Sequence, residues 1–173
     1  MELSHAIRGR RSIRSYLRDP VPEADLRRII EAGIHAPSAG NCQPWEFVVV
    51  RDRRRREMLS AAAHGQEFLV EAPVVIVVCA NIPRTSGRYG RRGAELYCIQ
   101  DTAAAVQNML LTAYSLGYGT CWVGAFDEEM AARAIGAPRD VRPVAMIPVG
   151  KPAEKPGMPP RRGLDEVTHE ETF

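Results

Sequence analysis

Residues 74–79 form an unbroken run of apolar, mostly β-branched side chains, Val-Val-Ile-Val-Val-Cys, directly after Pro73. A strand with one face in water alternates apolar and polar side chains, and this run does not. Both faces of the strand therefore need cover from other parts of the fold. We predict that residues 74–79 lie in the middle of a β-sheet with further layers packed on each side.

The other patterns place more strands and helices around this sheet. Apolar or β-branched runs predict strands at 45–50, 120–123 and 144–149. Helical spacing, with suitable Pro and Asp residues at the starts, predicts helices at about 2–8, 22–35, 53–63, 94–116 and 127–135. Residues 81–93 are rich in Gly and Arg and predict a mobile loop.

The length of 173 residues is that of about one domain, which we expect to span residues 1–173. Its last part, residues 151–173, contains four closely spaced prolines and predicts an extended C-terminal arm. The long apolar helix at 94–116 favours burial on several sides, in a dimer core or as a central helix. An arm that wraps a partner subunit suits the same arrangement.

Cysteine content and the length of apolar runs indicate the cellular compartment and whether a metal or a membrane span is expected. The four cysteines include no CxxC pair and lie mostly in apolar surroundings, which favours reduced thiols in the cytoplasm and implies no metal. The apolar run 72–80 is too short to span a bilayer, and the N-terminus lacks the layout of a signal peptide. We expect a cytoplasmic protein without a membrane partner.

The net charge is only +2, but the arginines are clustered. A run at Arg53–Arg56 invites a nucleic-acid interpretation, and a solvated helix is the plain alternative. Because no aromatic residues are interleaved with the arginines, the nucleic-acid signal is weak and is kept only as a rival.

The N-terminal stretch GRRSIRSY concentrates cations and a hydroxyl in one short segment. Arg10, Arg11 and Arg14 supply guanidinium groups, and Ser12 adds a donor. Guanidinium forks match phosphate oxygens, so the segment predicts either an anion site or a solvated basic loop. Arg161, in the proline-stiffened arm, is a second basic element that could reach the same anion.

The stretch APSAGNCQPW, residues 36–45, contains no acid, base or histidine. Pro37 ends the preceding helix, and the small and amide residues that follow are typical of a turn. Taken alone, this stretch predicts a structural turn rather than a site.

The stretch LGYGTCWVG, residues 116–124, places Gly124 directly after a short strand. A glycine there lets a backbone N–H approach a ligand, although a helix cap followed by a strand end explains the same pattern. The glycines follow a helix and precede a strand, the reverse of a dinucleotide-binding fingerprint. No motif of a hydrolase or metalloprotease occurs, which points to chemistry supplied by a cofactor.

Taken in order, these motifs resemble the nitroreductase family of FMN-dependent oxidoreductases. The resemblance rests on RRSIRSY, APSAGNCQPWEFVVV, EAPVVIVVCA, DTAAAVQNMLLTAYSLGYGTCWVGAF and VGKPAEKPGMPPRRGLDEV. It implies an α+β fold with a central mixed or antiparallel sheet wrapped by helices. It also implies an interlocked homodimer that holds FMN at the subunit interface.

The resemblance assigns the basic residues to the two ends of the flavin. Arg10 and Ser12 would hold the phosphate and ribityl end, with Arg11 in the same segment and Arg161 completing the phosphate site. Arg14 would lie near flavin N1 and O2, where a cation stabilises the negative charge of reduced FMN.

Other positions would contact the isoalloxazine ring. Four residues of the turn would reach it from the other subunit: Pro37, Ser38, Ala39 and Asn41. Gly124 would direct its backbone N–H at flavin N5, and Gln66 would offer an amide to the pyrimidine ring. Longer relatives carry a helical excursion over the flavin, whereas residues 81–93 predict only a short loop whose arginines could attract an anionic substrate.

The implied activity is transfer of a hydride from NADH or NADPH through flavin N5 to a small acceptor in ping-pong order. Nitroaromatics, quinones and enones are the acceptor types that the resemblance suggests. Two alternatives stay open, namely a specialised relative such as a reductive dehalogenase or flavin-processing enzyme, and a basic nucleic-acid-binding or scaffold dimer.

Overall fold

The structure, a computed structural model, describes all residues 1–173. Four strands form one antiparallel sheet in the order β1-β2-β4-β3. The strands are β1 (Trp45–Val50), β2 (Val74–Asn81), β3 (Gly119–Thr120) and β4 (Val141–Gly150). All four predicted strands are present, although β3 is shorter and β4 is longer than the sequence pattern predicts.

Strand β2 occupies the interior of the sheet, as its apolar run predicts. It pairs with β1 along one edge and with β4 along the other, and residues 74–80 are almost completely buried. Val75 and Val77 enter one core, whereas Ile76 and Val78 enter the other. Because each such side chain contributes about 1.5–3 kcal/mol when buried, β2 is a main source of stability.

Seven helices surround the sheet. They are α1 (Leu3–Gly9), α2 (Glu23–Ile34), α3 (Arg53–Ala62), α4 (Phe68–Glu71), α5 (Ile82–Arg92), α6 (Cys98–Ser115) and α7 (Glu128–Ile135). Helices α3, α4 and α7 pack on one face of the sheet, and α2 and α6 pack on the other. This arrangement confirms the α+β class with an antiparallel central sheet wrapped by helices.

Two helices begin at aspartates that cap their first turns. Asp52 accepts a hydrogen bond from the Arg55 N–H at 2.9 Å, and Asp127 accepts one from the Met130 N–H at 2.8 Å. Each carboxylate satisfies a backbone donor that has no partner inside the helix. None of the helices combines the length and the apolar character needed to cross a bilayer.

Helix α5 replaces the loop predicted at 81–93, so that prediction was wrong. Pro83 lies in the first turn, where its missing N–H costs nothing. Gly93 is required for close packing, since a Cβ there would lie 2.5 Å from the Thr85 carbonyl oxygen. The glycine at 93 thus permits a close contact and does not make the segment mobile. Gly90 marks a kink in the helix, with a φ of 55°.

The start of the C-terminal arm pairs with the N-terminal segment through backbone hydrogen bonds. Leu17 donates its N–H to the Lys151 carbonyl, and Ala153 donates to the Ser15 carbonyl, at 2.9 and 3.0 Å. Beyond this pairing, every side chain from residue 157 to residue 173 is exposed. That this arm wraps a partner subunit stays a prediction.

Candidate functional site

The N-terminal basic segment, residues 10–14, lies against the outer strand β3. Ser12 pairs in parallel with Thr120, and the Ile13 N–H donates to the Thr120 carbonyl at 2.9 Å. Ile13 is buried directly over Gly119, where a Cβ would lie 2.8 Å from the Ile13 side chain. The absence of a side chain at Gly119 therefore lets the segment dock closely on the sheet.

The arginines of this segment differ in whether the chain gives them a partner. Arg11 donates from Nη1 to the carbonyls of Arg8 and Arg10, at 2.6 and 2.9 Å. The guanidinium groups of Arg10 and Arg14 make no ion pair and no hydrogen bond within the chain. Arg10 and Arg14 are therefore the two cations available to an anion here.

The Cys121 thiol lies in the middle of the same cluster. Burial raises its pKa, while Arg14, a hydrogen bond with Ser12 and Arg10 each act to lower it. Burial also raises the pKa of Tyr16, whose hydroxyl donates to the Ile13 carbonyl at 2.6 Å. The sequence indicated only that Cys121 is a structural thiol, and its place among the site residues was not foreseen.

Gly124 and Gln66 lie close together in a second part of the site. Gln66 donates from Nε2 to the carbonyls of Ala63 and Ala125, at 3.1 and 3.4 Å. Gly124 is exposed, and its N–H donates no hydrogen bond within the chain. A Cβ at Gly124 would meet only the Trp122 indole, at 3.8 Å. The Gly124 N–H is thus open to an approaching acceptor.

Residues 38–43 form a tight turn that is stabilised by side chains. The Ser38 hydroxyl accepts the Gln43 N–H at 3.0 Å, and Asp101 Oδ1 on α6 accepts the Ala39 N–H at 3.0 Å. Pro37 and Asn41 are exposed beside these contacts. The stretch is a turn, as its composition predicts.

Asp101 is a buried carboxyl group that sequence reasoning missed. Only 6% of the residue is exposed, and its Oδ2 atom is buried without a hydrogen-bond partner. Burial raises the pKa of Asp101, and the hydrogen bond from Ala39 partly offsets this. A lone acid on the otherwise apolar side of a helix was the available signal.

The two groups of candidate residues lie at opposite ends of α6. Gly9, next to Arg10, lies against the Tyr114 ring, whereas Ala39 bonds to Asp101. Asp101 and Tyr114 are 13 residues apart on α6, which corresponds to about 20 Å. Within one chain, therefore, the turn that carries Pro37, Ser38, Ala39 and Asn41 does not join the basic segment.

Arg161 is also separate from the basic segment in this chain. It is exposed, and its Nη1 donates to the carbonyls of Pro159 and Pro160, at 3.4 and 3.1 Å. No contact with Arg10 or Ser12 is present, so the chain does not by itself bring the predicted phosphate ligands together.

A cavity of about 900 Å³ lies beside the site, with Tyr16, Gly65 and Glu67 among its lining residues. None of the predicted site residues lines it. Three glutamates and three arginines contribute to its wall, so it does not select an anion or a cation. The candidate site is therefore defined by the free donors of Arg10, Arg14 and Gly124 and not by this cavity.

The antiparallel sheet between helical layers, with a basic segment at its edge, defines an α+β protein with a candidate ligand site at the outer strand. A family model described as the Nitroreductase family matches residues 7–68 and 59–151. The chain belongs to the nitroreductase family, which confirms the resemblance seen in its motifs.

Relatives and solved structures agree with this assignment. An NADH dehydrogenase of Thermus thermophilus is 38% identical, with 88% of this chain and 87% of that protein covered. An FMN reductase [NAD(P)H] of Bacillus subtilis is 30% identical, with 99% and 74% covered. The structure of a Vibrio harveyi NADPH:FMN oxidoreductase complexed with NAD+ superposes with a TM-score of 0.91 at 25% identity, covering 99% and 77% of the two chains.

Proposed function

We propose that the protein is an FMN-dependent oxidoreductase that takes reducing equivalents from NADH or NADPH and passes them to a small acceptor in ping-pong order. The acceptor is then a nitroaromatic, a quinone or an enone. Family membership and the names of the relatives support this, since these include an NADH dehydrogenase and an FMN reductase.

The observation that carries the proposal is the pair of unpartnered guanidinium groups, Arg10 and Arg14, in the cluster that holds Ser12. Phosphate is well matched by an arginine fork and a serine hydroxyl. The open N–H of Gly124, with no Cβ in the way, suits the edge of a planar ring. The donors present therefore fit FMN, which when bound supplies hydride transfer at its N5 atom.

Five candidate site residues have defined roles in this proposal. Arg10 and Ser12 bind the phosphate and ribityl end, and Arg14 places a fixed positive charge where negative charge develops on reduction. The Gly124 N–H donates a hydrogen bond at the ring edge where the hydride is exchanged. Gln66 orients its amide beside Ala125 and so lies next to that edge.

The separation of the two residue groups along α6 supports a homodimer with a composite site. The basic segment of one copy and the Ser38–Gln43 turn of a second copy would then enclose one flavin. The exposed arm gives Arg161 the reach to complete the phosphate site in such an assembly. This proposal accounts for exposed apolar side chains at Leu3 and Ile7 on α1, which a second copy would cover.

The nucleic-acid alternative loses support from the contacts of the Arg53–Arg56 run. Arg53 pairs with Glu57 of the same helix, and Arg55 donates to the Ala134 carbonyl. Arg56 donates to the Val70 carbonyl in α4 and to the Ala72 carbonyl just after it. Arg55 and Arg56 thus hold α3 to its neighbours, and Arg53 is paired within α3. They stabilise the fold and leave little of the run as a free basic surface.

Steady-state kinetics with NADH and NADPH, each against a nitroaromatic, a quinone and an enone, test the proposal. We expect FMN-dependent oxidation of at least one nicotinamide and parallel double-reciprocal lines for the acceptor. Absence of turnover with every pair, together with DNA binding that weakens steeply with salt, would favour the nucleic-acid alternative.

A further inference from the structure

The turn at residues 38–43 has a backbone shape that needs outside support. Gly40, Asn41 and Gln43 have φ values of 55°, 56° and 49°. Glycine adopts this left-handed region freely, but Asn and Gln do so at a cost in free energy. Two left-handed residues other than glycine, so close together, persist only if their surroundings fix them.

Helix α5 supplies cations to the carbonyl groups of this turn. Arg84 donates from Nε to the Cys42 carbonyl, and Arg88 donates from Nη1 to the Gly40 carbonyl, each at 3.0 Å. A Cβ on Gly40 would lie 2.7 Å from Arg88 Nη1, so the missing side chain allows this contact. The helix that replaces the predicted loop is thus bonded to the turn.

Helix α6 supplies a negative charge to a backbone donor of the same turn. Asp101 Oδ1 accepts the Ala39 N–H, while Oδ2 is buried without a partner. Burying a carboxyl group with one unpaired oxygen costs free energy, which other interactions of the fold must offset. Cations thus bond to the turn's carbonyls and an anion to its N–H, which are the stronger, charge-assisted pairings.

We propose that Arg84, Arg88 and Asp101 are positioning residues, which fix the turn in the shape that contacts FMN. The proposal rests on the function proposed above, in which this turn forms one wall of the flavin site. It assigns the arginines of α5 to the flavin wall and not to capture of an anionic substrate. Arg91 and Arg92 on the same helix bond instead to Glu95 and to the Tyr97 hydroxyl.

Amide hydrogen exchange over residues 38–43 tests whether Arg84, Arg88 and Asp101 stabilise the turn. The dissociation constant of FMN tests whether that stabilisation favours flavin binding. In the full-length protein, Asp101→Ala and the double variant Arg84→Ala/Arg88→Ala should each exchange about tenfold faster in the turn and bind FMN about tenfold more weakly. Asp101→Asn should lie between Asp101→Ala and the wild type, because its Oδ1 still accepts the Ala39 N–H but carries no negative charge.

Arg91→Ala is the matched control, since it removes an exposed arginine of the same helix that does not touch the turn. It should leave both measurements unchanged. Should Asp101→Ala fail to fold, the exposed Arg88→Ala variant carries the test. Exchange in the turn as slow as in Arg91→Ala would overturn the proposal, and so would faster exchange with unaltered FMN binding. Wild-type protein that binds no FMN would contradict the proposed function, while the exchange comparison would still test the support of the turn.

Discussion

At the scale of single residues, what an arginine does in this chain depends on the partner that the fold gives it. Arg55 and Arg56 donate to backbone carbonyls and hold α3 in place. Arg10 and Arg14 have no such partner and stay available for a ligand. The sequence shows both groups as equally basic, because pairing depends on contacts between residues that are far apart in the chain.

Removing either proposed phosphate ligand should weaken flavin binding. A charge-assisted hydrogen bond is worth about 1.5–3 kcal/mol, so Arg10→Ala and Arg161→Ala should each raise the FMN dissociation constant by about tenfold or more. Fluorescence of FMN separated from the protein by ultrafiltration measures this. The control is Arg54→Ala, an exposed arginine of α3 outside the site. Unchanged flavin occupancy in both variants would refute the phosphate site.

Arg14 should set the redox potential of the bound flavin. Loss of its positive charge removes stabilisation from the reduced state, so Arg14→Ala should lower the midpoint potential by on the order of 30 mV or more, the equivalent of about 1.4 kcal/mol. Spectroscopic titration against a reference dye measures the shift. Arg18→Ala, an exposed change nearby, should have little effect, and a rise or no change in Arg14→Ala argues against the assignment.

The Glu128–Arg142 pair should make stability depend on pH. Arg142 donates to both carboxylate oxygens at 2.7 Å and holds the pKa of Glu128 below its usual value of 4.5. This stabilisation is present above pH 4.5 and is lost as the pH falls through the lowered pKa. Because both side chains are more than 40% exposed, Arg142→Ala should cost at most about 1 kcal/mol at pH 7.

Urea unfolding at pH 7 and near pH 3 measures the difference in unfolding free energy between wild type and Arg142→Ala, which should narrow at the lower pH. The looser Arg133–Glu129 pair, at 3.6 Å and more exposed, is the control, and Arg133→Ala should cost less. An equal loss for Arg142→Ala at both pH values would show that the ion pair is not its cause.

At the scale of elements, periodicity and caps predicted most of the fold, and glycine content was misleading. The β2 run and the Asp127 cap lie where the pattern placed them. Helix α5 was missed because Gly93 and Gly90 resemble loop glycines in sequence. Glycine is needed at 93 for contact with Thr85 and at 90 for a kink, and both requirements arise only from tertiary packing. The support of the turn by α5 could not be predicted without that helix.

Close packing of the basic segment on β3 should be sensitive to Gly119. In Gly119→Ala the new Cβ would lie 2.8–2.9 Å from three atoms of Ile13. Overpacking of this kind costs about 1–3 kcal/mol, and displacement of residues 10–14 should also weaken FMN binding. Chemical unfolding and FMN ultrafiltration measure the two effects.

Gly87→Ala is the control for this change. Nothing lies within 4 Å of a Cβ there, and alanine in a helix interior is favoured over glycine by about 0.5–1 kcal/mol. This variant should be as stable as the wild type or more so. Wild-type stability and flavin binding in Gly119→Ala would contradict the packing argument.

At the scale of the whole molecule, one chain presents two groups of candidate site residues at opposite ends of α6. The sequence motifs indicated nearly all of these residues, because each group lies largely in a short contiguous stretch. In the proposed dimer the two groups meet through a second copy and the arm, and no local pattern encodes that geometry. We therefore propose an FMN-binding homodimer with a site that two chains share.

The most direct test is to measure flavin and mass on the same purified wild-type protein. We expect yellow protein that sediments as a dimer and releases one FMN per chain on denaturation. Colourless protein that added FMN cannot reconstitute would contradict the account, as would a stable monomer that retains its flavin.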